Sequence, residues 1–337
     1  MTKATAKKLA KKYKKKGWKP KSFATHCEEF TKGLINAIKS CGKWIKTWSP
    51  AEIGGLPSNY QSNTEYAGLN MIACMGRMYS MGYKFNKWVT YKGAIALGGN
   101  VKREESKNYL TLSYYEIKLY DADGKQIPRG NPDKVEVEKR RAFFNTFYVY
   151  NIEQCEGIEM PKESKKKKRT LKPLKDFEAM VEKYKLAYPS LSIEVKESDR
   201  AYYQPSRDKI VVPTMEQFVK KSQEMGGTIL EGKHNWARTL LHEIGHSLMK
   251  RIAKDDEMLP DNFFKNHEKD YAYEELCAEL FSVFMGMRLG LTYGDNMKNS
   301  ENYLKGWVSA LESNPKWIVM SSTNANKRVR MFEGAIA

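Results

Sequence analysis

The first stretch with a readable hydrophobic period is FTKGLINAIKSCGKWIKTW (30–48). There Leu34, Ile35, Ile38, Trp44 and Ile45 fall at near-helical spacing and predict a helix. A loop of turn formers, IGGLPSNYQSN (53–63), separates it from a second helical stretch, YAGLNMIACMGRMYSMG (66–82). In KWVTYKGAIALGGNVK (87–102) the paired glycines predict a tight turn into a strand. YLTLSYYEIKLY (109–120) and RRAFFNTFYVYN (140–151) then read as strands, separated by the turn residues of DADGKQIPRGNPD (121–133). Further on, helical patterns dominate. A short strand, KIVVP (209–213), precedes helices expected near 214–225, 235–254, 271–290, 301–312 and 322–336. The pattern predicts an α+β protein: a mixed N-terminal part with an antiparallel component, then a mainly helical C-terminal part.

Composition places boundaries on this scheme. At 337 residues the chain has room for two domains of ordinary size. The segment PKESKKKKRTLKP (161–173) carries seven Lys or Arg and no aliphatic residue before Leu171, so it is the natural linker. The expected order is a basic arm (1–25), an N-terminal domain (26–160), the linker (161–173) and a C-terminal domain (174–337).

Charge adds a partner. The chain is +18 at pH 7 with a pI near 9.4, and residues 1–21 alone hold ten lysines and no acid. An excess of this size, clustered rather than spread, points to a polyanion, of which nucleic acid is the commonest. The five cysteines (Cys27, Cys41, Cys74, Cys155, Cys277) are odd in number and form no C-x-x-C pair, so neither a disulfide framework nor a cysteine zinc cage is indicated. No apolar run reaches the roughly 18 residues of a membrane span, and the lysine-rich start has no hydrophobic core of a signal peptide. The cytoplasm is the expected location, with no membrane partner.

Chemistry enters with WARTLLHEIGHSLMKRIA, which contains His242, Glu243 and His246 as H-E-x-x-H. On a helix, positions i and i+4 share a face, so both imidazoles can address one metal ion. With only five histidines in the chain, this spacing around a glutamate is not expected by chance. Zinc accepts neutral imidazoles and in catalytic sites leaves a position for water, whose proton Glu243 would take. Met249 and Ile252 stand where a metzincin needs glycine and histidine, which excludes that class. A third ligand is therefore sought on a later helix, in YAYEELCAELFSVFMGMRLG, which offers Glu274, Glu275 and Glu279. Glu275 and Glu279 lie on a stripe that continues into Val283 and Gly286, where an acid needs a partner. Glu275 is the expected ligand, Glu274 the alternative, and Glu279 the carboxylate expected to orient a histidine.

Taken in order, these residues resemble the ArdC-like antirestriction proteins of plasmids and phages. The likeness runs through LPSN (56–59), YAGLN (66–70), WVT (88–90), ALGGNVK (96–102) and FYVYNIEQCEG (147–157). It continues through YYQPSRDKIVVP (202–213), TLLHEIGH (239–246), YAYEELCAEL (271–280) and YLKGW (303–307). The resemblance implies a single-stranded-DNA-binding N-terminal domain followed by a zincin-like metallopeptidase domain. It also implies an unidentified peptide or protein substrate and protection of incoming DNA from restriction. Two alternatives stay open: a non-proteolytic strand-coating protein whose metal site is structural or vestigial, and a regulatory metalloprotease acting on one protein partner. The chain departs from that family in its longer basic arm and in SLMKRIA after His246. Aromatic residues interleaved with Lys and Arg suit a strand-binding surface. Most of the aromatics are expected in the core, and the candidate exposed contacts are Trp88, Lys92, Lys102 and Arg103.

Overall fold

The computed structural model describes residues 56–128, 135–161, 174–252, 267–291 and 317–337, together with Thr25, Glu28, Thr31, Lys32 and Glu312. The helix expected over 30–48, the basic arm, the linker after Pro161 and the helix near 301–312 lie outside the described residues, apart from those single positions.

The N-terminal half is organised by a long antiparallel ribbon, β4 (Leu110–Tyr120) and β6 (Lys139–Asn151), paired without interruption from Leu110 opposite Val149 to Tyr120 opposite Lys139. Flanking strands extend it: β1 (Ser58–Asn59), β2 (Lys87–Val89) and β5 (Gln126–Ile127), in the order β1-β2-β6-β4-β5. Helix α1 (Leu69–Met81) packs its Met71, Cys74, Met75 and Met78 stripe inward. After β2 the chain forms α2 (Tyr91–Ala96), capped by Thr90, whose side chain accepts the Gly93 amide. The expected glycine turn follows and leads into β3 (Asn100–Val101). Gly99 has no substitute there. A Cβ would lie 2.3 Å from the carbonyl oxygen of Glu156, in β7 (Cys155–Glu156), the strand that pairs with β3.

The C-terminal half begins with α3 (Lys175–Ala187), then a small sheet of β8 (Ser192–Val195), β9 (Tyr202–Gln204) and β10 (Lys209–Val212). Its order is β8-β10-β9, with β10 central and fully apolar from Ile210 to Val212. Helices α4 (Met215–Glu224), α5 (Ile229–Ile252), α6 (His267–Leu289) and α7 (Trp317–Ile336) complete it. From Leu280 to Met287, α6 is buried on all sides, as the central helix of the bundle must be. Among the described residues no helix is long and apolar enough to cross a membrane.

The two halves share one core. Trp88, Leu112 and Val149 of the ribbon sheet belong to the same buried cluster as Leu241, Phe281 and Phe332. Helix α7 closes the seam: a Cβ on Gly68, just before α1, would meet the Ser322 hydroxyl at 3.0 Å. The opposite face of the sheet has a smaller cluster of its own, with Val89, Val101, Tyr150 and Ile152.

Candidate metal centre and nucleic-acid contacts

Helix α5 is started by a reciprocal cap. The Thr228 hydroxyl accepts the Glu231 amide at 3.1 Å, and the Glu231 carboxylate accepts the Thr228 amide at 2.6 Å. Leu240, Leu241, Ile244 and Leu248 then bury one face of it. Where α5 crosses α6, Gly245 leaves no room for a side chain: a Cβ would stand 3.1 Å from Ala278 Cα and 3.0 Å from Phe281 Cδ1. This close crossing carries the imidazoles of α5 to the carboxylates of α6.

His242 Nε2 and His246 Nε2 lie 3.1 Å apart. Glu275 faces both, with Oε2 3.3 Å from His242 Nε2 and Oε1 3.4 Å from His246 Nε2. One ligand atom from each of the three residues falls within 4.8 Å of the others. These separations are close to the edges, about 3.3 Å, of a tetrahedral set with bonds of about 2.0–2.1 Å. The outer nitrogens are held as well. Nδ1 of His242 donates to Glu279 at 3.0 Å, and Nδ1 of His246 donates to Glu274 at 3.1 Å. An ionised carboxylate can only accept, so each Nδ1 carries the proton and each Nε2 can turn a lone pair toward the common point. The donor set fits a divalent metal ion.

The structure thus brings Glu275 to the common point of the two imidazoles and places Glu279 behind His242. Glu274 does not face the common point. It forms a two-pronged ion pair with Arg328 of α7, at 2.7 and 2.6 Å, while holding His246. Arg328 is fully buried and also donates to the Gly245 carbonyl and to Asn324. The role of Glu274, and those of Arg328 and Gly245, are additions that the sequence patterns did not supply.

Electrostatics follow from this crowding. Burial disfavours a charged His242, but hydrogen bonds to Glu275 and Glu279 outweigh it and raise its pKa above that of a free imidazole. Burial would likewise raise Glu275, yet hydrogen bonds from the two imidazoles hold it well below the usual carboxylate range. Glu243 behaves differently. It is buried, and that burial lifts its carboxyl above the usual value against the nearby imidazoles and the Tyr203 amide. Tyr203 belongs to β9, which lies against α5 and is anchored from below. The Tyr203 hydroxyl donates to Asp208 at 2.8 Å, and Asp208 is also paired with Arg251 at the end of α5.

The nucleic-acid candidates divide. Trp88 does not reach the surface. It is fully buried, and its indole N–H donates to Asn86 at 2.8 Å. The reason is that β2 is covered on both faces, Trp88 entering the shared core and Val89 the smaller cluster. Lys102 is half-buried and its ammonium donates to the Glu153 carbonyl at 2.9 Å. Lys92 and Arg103 are exposed.

Fold and site together define a zincin-like domain. A family model described as zincin-like metallopeptidase matches residues 175–324, and one described as the N-terminal domain of the anti-restriction factor ArdC matches residues 24–150. With both models in this order over most of its length, the chain belongs to the ArdC-like family. The antirestriction ArdC protein of plasmid R388 superposes with a TM-score of 0.65 at 21% identity, covering 92% of this chain and 97% of that one. Its Mn(II)-bound form gives 0.64 at 22% identity. Among curated relatives, a DNA primase TraC of Escherichia coli is 31% identical over 309 residues, 89% of this chain. The chain spans only 26% of that primase and 19% of a second TraC that is 30% identical. The uncharacterized protein y4eC of Sinorhizobium fredii is 25% identical over 80% of this chain and 78% of its own length. The zincin-like domain implies a divalent metal.

Proposed function

We propose that this chain binds single-stranded DNA through its N-terminal half and hydrolyses peptide bonds at a zinc centre held by His242, His246 and Glu275. In this reading it works in the cytoplasm of a host cell and protects incoming plasmid or phage DNA from restriction. The observation that carries the catalytic part is the convergence of two Nε2 atoms and one carboxylate, each histidine being held from behind by a second acid. Support for the biological part is the likeness to the ArdC antirestriction protein and to the ArdC N-terminal domain.

A zinc ion bound there would supply an acidified water and a Lewis acid toward the scissile carbonyl. Glu243 acts as the base. It is buried and lies within electrostatic reach of His242, His246 and Glu275, the side chains that would hold the ion. The Tyr203 amide aims the carboxylate, and Asp208 with Arg251 keeps Tyr203 in place. Glu274, Arg328 and Glu279 keep the two rings from turning.

The test pairs metal analysis with one substitution. The purified chain should carry one zinc, and Glu243→Gln should retain it while cleavage of any peptide the native chain cuts falls by about 10²–10⁴-fold or more. A native chain without affinity for zinc, or a Glu243→Gln chain with full activity, contradicts the mechanism.

A further inference from the structure

Since Trp88 is core, the surface that would meet a DNA strand must be sought elsewhere on the ribbon sheet. Its register sorts the aromatics by face. Leu112 and Val149 point into the shared core, so Tyr109, Thr111, Tyr148 and Tyr150 belong to the other face. On it the Tyr109 and Tyr148 rings lie 4.3 Å apart at 48°, and Tyr150 stands edge-on to Tyr109 at 6.5 Å. Tyr150 is buried and acts as the foundation. Its hydroxyl donates to the Ser106 carbonyl at 2.9 Å, which draws the 103–109 segment over this face. Tyr109 and Tyr148 remain 41% and 42% exposed, and Tyr91, at the start of α2 close to Tyr150, is 49% exposed.

We infer that the Tyr109–Tyr148 pair, flanked by Tyr91, is a base-stacking platform for single-stranded DNA, with Lys92, Arg103 and Lys107 taking the phosphates. This rests on the reading above that the N-terminal half binds such DNA. Ring faces held in register and left to solvent suit bases, whose π-faces are open in a single strand and hidden in a duplex. The cations fit the phosphates: Lys92 adjoins Tyr91, and Arg103 and Lys107 are exposed on the segment that Tyr150 anchors. Of the acids there, Glu105 is tied to Gln154 and Asn108, while Glu104 is exposed. Tyr114 serves as an internal control. It is 51% exposed, but the register places it on the opposite face, where it contacts Phe147.

The experiment is fluorescence anisotropy of the full chain with labelled single-stranded and duplex oligonucleotides. Tyr109→Ala and Tyr148→Ala should each weaken single-strand binding by roughly 5- to 150-fold, the loss of one stacked base, with little change in salt dependence. Tyr148→Phe should stay within about twofold of the native chain, since the ring remains, and Tyr114→Ala should do the same. In the native chain, ultraviolet crosslinking to oligonucleotides carrying 5-iodouracil should label Tyr109, Tyr148 or Tyr91, a readout independent of whether the alanine variants fold. Native binding to single strands with unchanged affinity in both alanine variants, or crosslinks only outside this face, overturns the platform but leaves strand binding standing. A native chain that binds no single strand overturns both.

Discussion

The metal centre and the tyrosine face of the ribbon are built on opposite terms. At the centre each histidine is held at both nitrogens, and the acid behind His246 is itself gripped by the buried Arg328. On the ribbon, ring surface is held in place from one side by Tyr150 and left to water on the other. A site that must present ligand atoms to an ion within tenths of an ångström needs a second layer of partners. A surface that accepts any base needs position and exposure, with no layer of hydrogen bonds above it. The comparison predicts that substitutions at the centre propagate into metal binding or folding, whereas those on the ribbon face change affinity alone.

The largest effect is expected where the two acids of α6 part company. Glu275→Ala removes the proposed third ligand, so zinc affinity should fall beyond the about 10–100-fold typical of losing an outer partner. Glu274→Ala should stay within that range for zinc. Its main cost is a different one, about 3–5 kcal/mol of stability, because Arg328 is left buried without its carboxylate. Zinc titration and denaturant unfolding of both metal-free variants separate the two roles. Equal losses of zinc affinity, with equal stabilities, would erase the distinction between ligand and support.

How much of this was legible in the sequence follows from how local each signal is. The pairing of His242 with His246 follows from helical periodicity alone, and that of Glu275 with Glu279 from the same period on a separate helix, while the choice between Glu274 and Glu275 stayed open. The strands 110–120 and 139–151 were readable because turn residues bracket long aromatic and β-branched runs. The support from Arg328 was not, since 54 residues separate it from Glu274 and no local pattern links α7 to α6. Neither was the importance of Gly245, whose place in H-E-x-x-H is an unspecified one. The placing of Trp88 failed for a related reason: an aromatic beside lysines reads the same inside or out. The missing clue is alternation. Trp88 and Val89 are consecutive and both buried, the mark of a strand covered on both faces.

That correction supplies the second prediction. Trp88→Ala should destabilise the chain by about 3–5 kcal/mol, the range for a large aromatic truncated in a core. The Asn86 side chain also loses its indole donor. The fraction that remains folded should bind single-stranded DNA within about twofold of the native chain, measured well below the unfolding midpoint. A variant of native stability with weakened DNA binding would return Trp88 to the surface and break the assignment of faces.

The smallest effect distinguishes cations that face solvent from one already engaged. Each phosphate contacted on a single strand contributes about 0.7 to the slope of log affinity against log salt. Lys92→Gln and Arg103→Gln should each lower that slope by about this amount, which between 50 and 200 mM salt amounts to roughly two- to threefold in affinity. Lys102→Gln should lower it less, because the Lys102 ammonium already donates to the Glu153 carbonyl and would have to leave it to reach a phosphate. A salt titration of anisotropy reads all three, with Tyr148→Ala as the reference whose affinity falls while its slope holds. If Lys102→Gln changed the slope as much as Arg103→Gln, the cation surface would extend past the 103–109 segment toward Glu153, and the strand would follow the sheet edge rather than cross the tyrosine face.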